Sequence, residues 1–225
     1  MYLLADIGGT TTRVAFSDDG KTLRDLTTFP TPATAEEGLV RLRGIAAKGG
    51  PRQNLTGLVI AIPGVIDRER GQLSASPNLP GWIVKPITLP LEETLQAPVT
   101  LLNDAAAAGL GEAVFGAGRG YRISVYLTVS TGIGGSRIVG GRIDDSAAGF
   151  EPGHMIIDAS GALCPACPKP TTLEALAGGN NIQHRFKLTP PAIKDPAVWE
   201  ESAYYLALGL NNVIMLWSPH LIILG

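Results

Sequence analysis

Apolar residues in this chain come in short runs set apart by turns of glycine, threonine, proline and aspartate. Tyr2–Ile7 predicts a buried strand and Thr12–Ser17 a second, joined through Gly8, Gly9 and a run of threonines. Asp19-Gly20 is a hairpin signal that leads into a third strand over Thr22–Phe29. From Ala35 to Ala47 the period changes: Leu39, Leu42, Ile45 and Ala46 recur at helical spacing, and Gly49-Gly50 supplies a stop. "LTGLVIAIPG" predicts a strand running into a Pro-Gly turn, and "APVTLLND" another that ends in Asn103-Asp104. "AAAAGLGEAVFG" follows as a small-residue helix closed by glycine. Towards the end, Glu201–Trp217 is helical in pattern, with Leu206, Leu210, Val213 and Ile214 on one face, and "HLIILG" starts a further strand.

The opening layout recurs. "YLLADIGGTTTRVAFSDDGKTL" and "SVYLTVSTGIGGSRIVGGRI" share the order apolar strand, Gly/Thr turn, apolar strand, second turn, next strand. A duplicated unit predicts two similar α/β halves, each opening on a hairpin. "GAGRGY", over Gly116 to Gly120, interrupts the apolar pattern and places the boundary between domains 1–117 and 118–225.

Composition narrows the class. The chain has 225 residues, 45% hydrophobic and 17% charged, which is enough apolar material for a sizeable core and far from a disordered balance. A net charge of −2 provides no basic field for nucleic acid. No positively charged start precedes a long apolar stretch, and no apolar run has the length to span a bilayer, so neither a signal peptide nor a membrane partner is expected. Cys164 and Cys167 stand close together and form no framework for a secreted protein. The expectation is a soluble cytoplasmic protein.

Each chemical feature has a plain structural alternative. The Gly/Thr turns let backbone approach an anion, with amides and hydroxyls donating to phosphate oxygens, and Asp6 suits Mg²⁺ held through its waters. The alternative for one turn is a tight hairpin with no ligand, but two such turns at matching places in a duplicated chain favour a ligand. Neither turn is a Walker A loop or a dinucleotide fingerprint. Asn103-Asp104, at a strand end before a helix, sits where open α/β sheets bind ligands, and Asp104 can act as a general base. Capping of the following helix is the alternative. "GFEPGHMIIDASGALCPACPKPTTLEALAGG" gathers Glu151, His154, Cys164, Cys167 and Glu174. His154, Cys164 and Cys167 suit Zn²⁺, although a closed structural site takes four ligands; the alternative is a pair of free thiols.

Together these motifs resemble the ROK family (repressor, open reading frame, kinase), and most closely its sugar-kinase branch. "DIGGT" is similar to the family's first phosphate motif and "STGIGG" to its second, with Ser130 in place of a glycine. "PGVIDRERG", "PNLPGW", "NDAAAAGLGE" and "GFEPGHM" follow in the family's order. The resemblance implies an actin/hexokinase/Hsp70-like fold, with two α/β domains around a central ligand cleft. It implies ATP-dependent phosphorylation of a hexose or N-acetylhexosamine, with Asp104 as the base. Asn103, Glu151, His154, Glu174 and Asn78 would hold the sugar, helped by the backbone at Gly64 and Val65. Asp6, Gly8, Gly9, Thr10 and Thr11 would face the ATP phosphates and Mg²⁺, with Thr131 and Gly132 doing so from the second turn. Pairing as a homodimer is also implied, though no residue here specifies it.

Two departures qualify the resemblance. The family's cysteine cluster has Thr172 where its last cysteine belongs, and Cys164 stands one residue further from Cys167 than usual. "SPHLIILG" resembles the strand leading into the adenosine-binding turn, and Gly225 follows at once. These departures motivate an alternative expectation, a catalytically impaired sugar-binding or regulatory protein derived from such a kinase. The repressor branch carries a DNA-binding segment ahead of its first phosphate motif, and here that motif starts the chain.

Overall fold

The computed structural model describes residues 1–49, 55–147 and 149–225, so Gly50, half of the expected helix stop, lies outside the described residues. The chain divides into two compact units, Met1–Ala107 and Ala108–Gly225.

In the first unit the elements are β1 (Tyr2–Ile7), β2 (Thr11–Ser17), β3 (Arg24–Pro30), α1 (Ala35–Lys48), β4 (Gly57–Ile62), β5 (Val65–Asp67), β6 (Gln72–Ala75), α2 (Thr88–Leu95) and β7 (Val99–Asn103). α3 (Asp104–Phe115) begins here and runs across the division. The main sheet has the order β3-β2-β1-β4-β7. β1 pairs antiparallel with β2 and parallel with β4, and β4 pairs parallel with β7. The alternation in β1 puts Leu3, Ala5 and Ile7 inside, while Asp6 faces solvent. β3 is an edge strand with Leu23 and Leu26 exposed nearby, so the third strand starts two residues later than its apolar pattern implies. Thr34 caps α1, accepting from the Glu37 amide at 3.4 Å, and Leu39 and Leu42 point into the core. Trp82 anchors that core: its ring is buried against Gly38, where any Cβ would overlap it, and its Nε1 donates to the Pro32 carbonyl at 3.0 Å.

The second unit contains β8 (Ile123–Val129), β9 (Ile133–Val139), β10 (Arg142–Ile143), β11 (Ile156–Asp158), β12 (Thr171–Thr172), α4 (Leu173–Ala177), α5 (Gly179–Phe186), α6 (Pro196–Trp217) and β13 (Leu221–Leu224). Its sheet, β10-β9-β8-β13, repeats the first: an antiparallel meander with a parallel strand added beside the meander's first strand. This is the internal repeat of the sequence realised in hydrogen bonds. α6 starts earlier than its apolar pattern, because Asp195 caps it by accepting from the Ala197 amide at 3.0 Å and Pro196 suits the first turn. Its inner face holds Val213, with Leu210 packed against the same cluster, but departs from expectation at Ile214. Ser202, Tyr205, Gly209 and Val213 are buried, whereas Ile214 is 51% exposed. Gly209 lies on the buried side, where Leu173 packs so closely that no side chain fits. Among the described residues, no helix is long and apolar enough to cross a membrane.

Candidate active site

In the first unit the candidate residues start at the end of β1. Asp6 lies opposite Arg13 in the β1–β2 register, and Arg13 Nη1 is 3.2 Å from Asp6 Oδ2. The intervening turn is closed by the Gly8 amide donating to the Thr11 carbonyl at 2.9 Å. Thr31 ties it down from the strand end beyond: its hydroxyl donates to the Gly8 carbonyl at 2.7 Å, and its amide to the Thr10 carbonyl at 3.0 Å. With those carbonyls engaged, Gly9 and Thr10 form the exposed crest of the turn. Asn78 packs on that crest, where a Cβ on Gly9 would lie 3.0 Å from the Asn78 Cβ. A residue expected on the sugar side therefore touches one expected on the phosphate side.

At the end of β7, Asn103 does two jobs. Its Oδ1 accepts from the Ala106 amide at 3.1 Å, which caps α3, and its Nδ2 donates to the Gly64 carbonyl at 3.2 Å. Capping, weighed above as the alternative, is thus one of its roles, and the same side chain locks the Gly64–Val65 turn in place. Gly64 has φ +126°, and a Cβ there would overlap the Ala75 carbonyl, so only glycine fits. Asp104 opens α3, with Oδ1 accepting from the Ala105 amide at 2.8 Å. The residue is exposed, although its carboxyl is partly desolvated. Desolvation raises its pKa above the usual aspartate value, the charge of Asp6 adds to the rise, and the Ala105 amide opposes it.

The second unit's turn, Ser130–Gly132, is closed by the Ser130 amide donating to the Gly132 carbonyl at 2.9 Å. Gly179 and Asn180 at the start of α5 donate to the Ser130 and Thr131 carbonyls at 2.8 and 2.9 Å. Glu174 of α4 accepts from the Ile133 amide through Oε2 at 2.7 Å, and the same oxygen lies against Gly132 where a Cβ would go. Glu151 precedes the tight turn Pro152–His154, whose Gly153 fits against the Ile133 carbonyl with no space for a side chain. The β11–β12 pair, with Ile156 opposite Thr172, carries that turn to the start of α4.

The structure does not support the zinc expectation. Cys164 and Cys167 are joined in a disulfide, their Cα atoms 5.3 Å apart, which is within bonding reach. Neither sulfur is then a thiolate, so the free-thiol alternative falls as well. Among the described residues no group of histidine, cysteine and carboxylate is arranged to hold a metal, and His154 is not part of one. The disulfide instead packs as an apolar unit with Leu176 and Tyr205.

Arg13 and Thr31 are the residues that sequence reasoning missed. Arg13 had a visible signal, a basic residue directly after the Gly/Thr run, but its pairing with Asp6 depends on strand register. Thr31 lies far from the turn in sequence and gives no local sign.

The sequence profile of the ROK family matches residues 2–225. This chain belongs to the ROK family. A glucokinase of Thermotoga maritima is 37% identical over 184 residues, covering 79% of this chain and 57% of that protein. The chain thus spans little more than half the length of that relative. The ROK hexokinase of Thermus thermophilus superposes with a TM-score of 0.83 at 32% identity, covering all of this chain and 80% of that one. A Streptomyces griseus ROK glucokinase, solved with glucose and AMPPNP, gives a TM-score of 0.75 at 26% identity, covering 99% and 82%. The fold is accordingly of the actin/hexokinase type.

Proposed function

We propose that this chain catalyses ATP-dependent phosphorylation of a hydroxyl on a hexose or N-acetylhexosamine. The observation that carries the reading is the placement of Asp104: a carboxyl at a strand end beside an asparagine that is pinned to the Gly64 carbonyl, with its pKa raised above the usual aspartate value by desolvation. A base is most effective when its pKa approaches the working pH, and a desolvated aspartate moves that way. Glucokinase and hexokinase relatives in the same family point to the same chemistry.

In this reading Asp104 takes the proton of the attacking hydroxyl as its oxygen bonds to the γ-phosphorus, and the bond from that phosphorus to the β-phosphate oxygen breaks, releasing ADP. Asn103, Asn78, Glu151, His154 and Glu174 orient the sugar, with the Gly64–Val65 backbone. The Gly8–Thr11 turn and the Thr131-Gly132 turn hold the phosphates. Asp6 has an exposed carboxylate beside the first turn, and with Oδ2 paired to Arg13 its other oxygen would meet Mg²⁺ or its waters; that ion would supply neutralisation of the phosphate charge. Arg13 adds a second positive charge at the same place.

The test is ADP release in a coupled assay over a panel of glucose, fructose, mannose and N-acetylhexosamines. Turnover with at least one sugar, reduced about 10²–10⁴-fold in Asp104→Ala, is expected. No turnover with any sugar overturns the proposal, and sugar binding by calorimetry without Mg-ATP binding puts a non-catalytic sugar-binding protein in its place.

A further inference from the structure

The Glu174 carboxylate poses a problem of charge. It belongs to the group expected to bind sugar, yet it rests against Gly132 and accepts from the Ile133 amide at 2.7 Å, inside a turn proposed to receive phosphates. An anion there takes up an amide that would otherwise help to bind phosphate, and repels the triphosphate. The arrangement is firmly held. The Gly178 amide donates to the Glu174 carbonyl at 2.8 Å and Asn181 Nδ2 to the same oxygen at 3.1 Å, while Gly179 and Asn180 fix the turn's own carbonyls. Leu173 and Leu176 on either side are fully buried, so α4 cannot easily carry the carboxylate away.

We infer that Glu174 is a positioning residue that makes nucleotide binding depend on sugar: its carboxylate opposes phosphate at the Gly132-Ile133 turn until a sugar hydroxyl donates to it. The inference rests on the kinase reading above and deepens it. A carboxylate has two oxygens with several acceptor sites, so Oε2 can keep the Ile133 amide while Oε1 takes a sugar hydroxyl. That hydrogen bond draws negative charge density towards the sugar and lessens the repulsion felt at the turn. Without sugar, the repulsion keeps ATP weakly held and protects it from wasteful transfer to water.

Glu174→Gln separates charge from shape, because the amide oxygen still accepts from Ile133 while the charge is gone. The measurements are calorimetric affinity for Mg-AMPPNP without sugar and with a saturating sugar from the assay panel, together with the sugar-free ATP hydrolysis rate. In the wild type, sugar is expected to tighten Mg-AMPPNP by about fivefold or more, within the usual span of coupling between sites. In Glu174→Gln, sugar-free affinity is expected to rise about fivefold, the weight of one unit charge a few ångströms away in a water-like dielectric, and hydrolysis without sugar to rise with it. The coupling factor should then fall to twofold or less. Glu174→Ala, which loses the tether as well, is expected to weaken nucleotide binding in both states. A merely structural role would weaken sugar-free binding in both variants. Sugar-free affinity unchanged or lowered in Glu174→Gln overturns the inference, as does a wild type that turns sugar over with no coupling. Absence of any wild-type turnover overturns the kinase reading instead.

Discussion

Arg13 and Asp6 face each other directly across the β1–β2 pair, guanidinium to carboxylate at 3.2 Å, at the mouth of the first Gly/Thr turn. Both side chains are more than half exposed, so the pair contributes only about 0–1 kcal/mol to stability. Its worth lies in where it puts a cation. Arg13→Ala should leave the melting temperature within a degree or two, while the KM for Mg-ATP rises several-fold and the KM for sugar stays near its wild-type value. Steady-state kinetics with each substrate varied in turn checks this. A large thermal shift with unchanged kinetics would assign Arg13 to the fold instead.

Asp104 should trade stability for reactivity. A folded-state pKa above the unfolded value means the native state binds the proton more tightly. The resulting stability is fully present below the unfolded pKa and is lost as pH rises through the folded one. At neutral pH the ionised carboxyl therefore destabilises the fold. Asp104→Asn, whose amide oxygen can still accept from the Ala105 amide, should melt at or above the wild-type temperature near pH 7 and show no gain near pH 3. The same variant should lose most of its turnover. Thermal melts at both pH values, beside the coupled assay, decide the point.

Gly64 admits no side chain. With φ at +126° and the Ala75 carbonyl where a Cβ would go, Gly64→Ala should cost about 1–3 kcal/mol from backbone strain alone. The turn would also move away from Asn103, whose Nδ2 donates to the Gly64 carbonyl. Urea denaturation should show the lost stability. The KM for sugar should rise more than the KM for Mg-ATP if the displaced backbone meets the sugar as proposed.

What the sequence made legible follows from length and period. β1, its Gly/Thr turn and β2 were readable because alternation over six or seven residues is a strong signal, and the second copy reinforced it. β11 and β12, three and two residues long, are too short to have a period at all. α2 carries Pro90 in its first turn, which hides a helix from a reader looking for interruptions. In α6 the apolar spacing marks Val213 and Leu210 on the packed side, but it does not register Gly209, which leaves a slot for Leu173. At the site, residue types at strand ends were visible. The pairings were not, since Asp6 with Arg13, Asn78 with Gly9 and Glu174 with Ile133 each depend on three-dimensional proximity.

The cysteine pair supplies a last and simple test. Zinc coordination and free thiols both require reduced sulfur, whereas a Cys164–Cys167 disulfide leaves no free cysteine. Thiol titration of the denatured, unreduced protein should find none, and two per chain after reduction with a dithiol. Elemental analysis should find no stoichiometric zinc, and a chelator should leave both melting temperature and turnover unchanged. Because Cys164 is buried with Leu176 and Tyr205 on the elements that support α4, Cys164→Ser should be felt at Glu174. Placing a hydroxyl in that apolar contact should cost about 1–3 kcal/mol and raise the KM for sugar. Cys167→Ser, at the less buried end of the loop, should do less of both. Two free thiols in the unreduced protein, with one zinc per chain, would restore the metal and assign His154 to it.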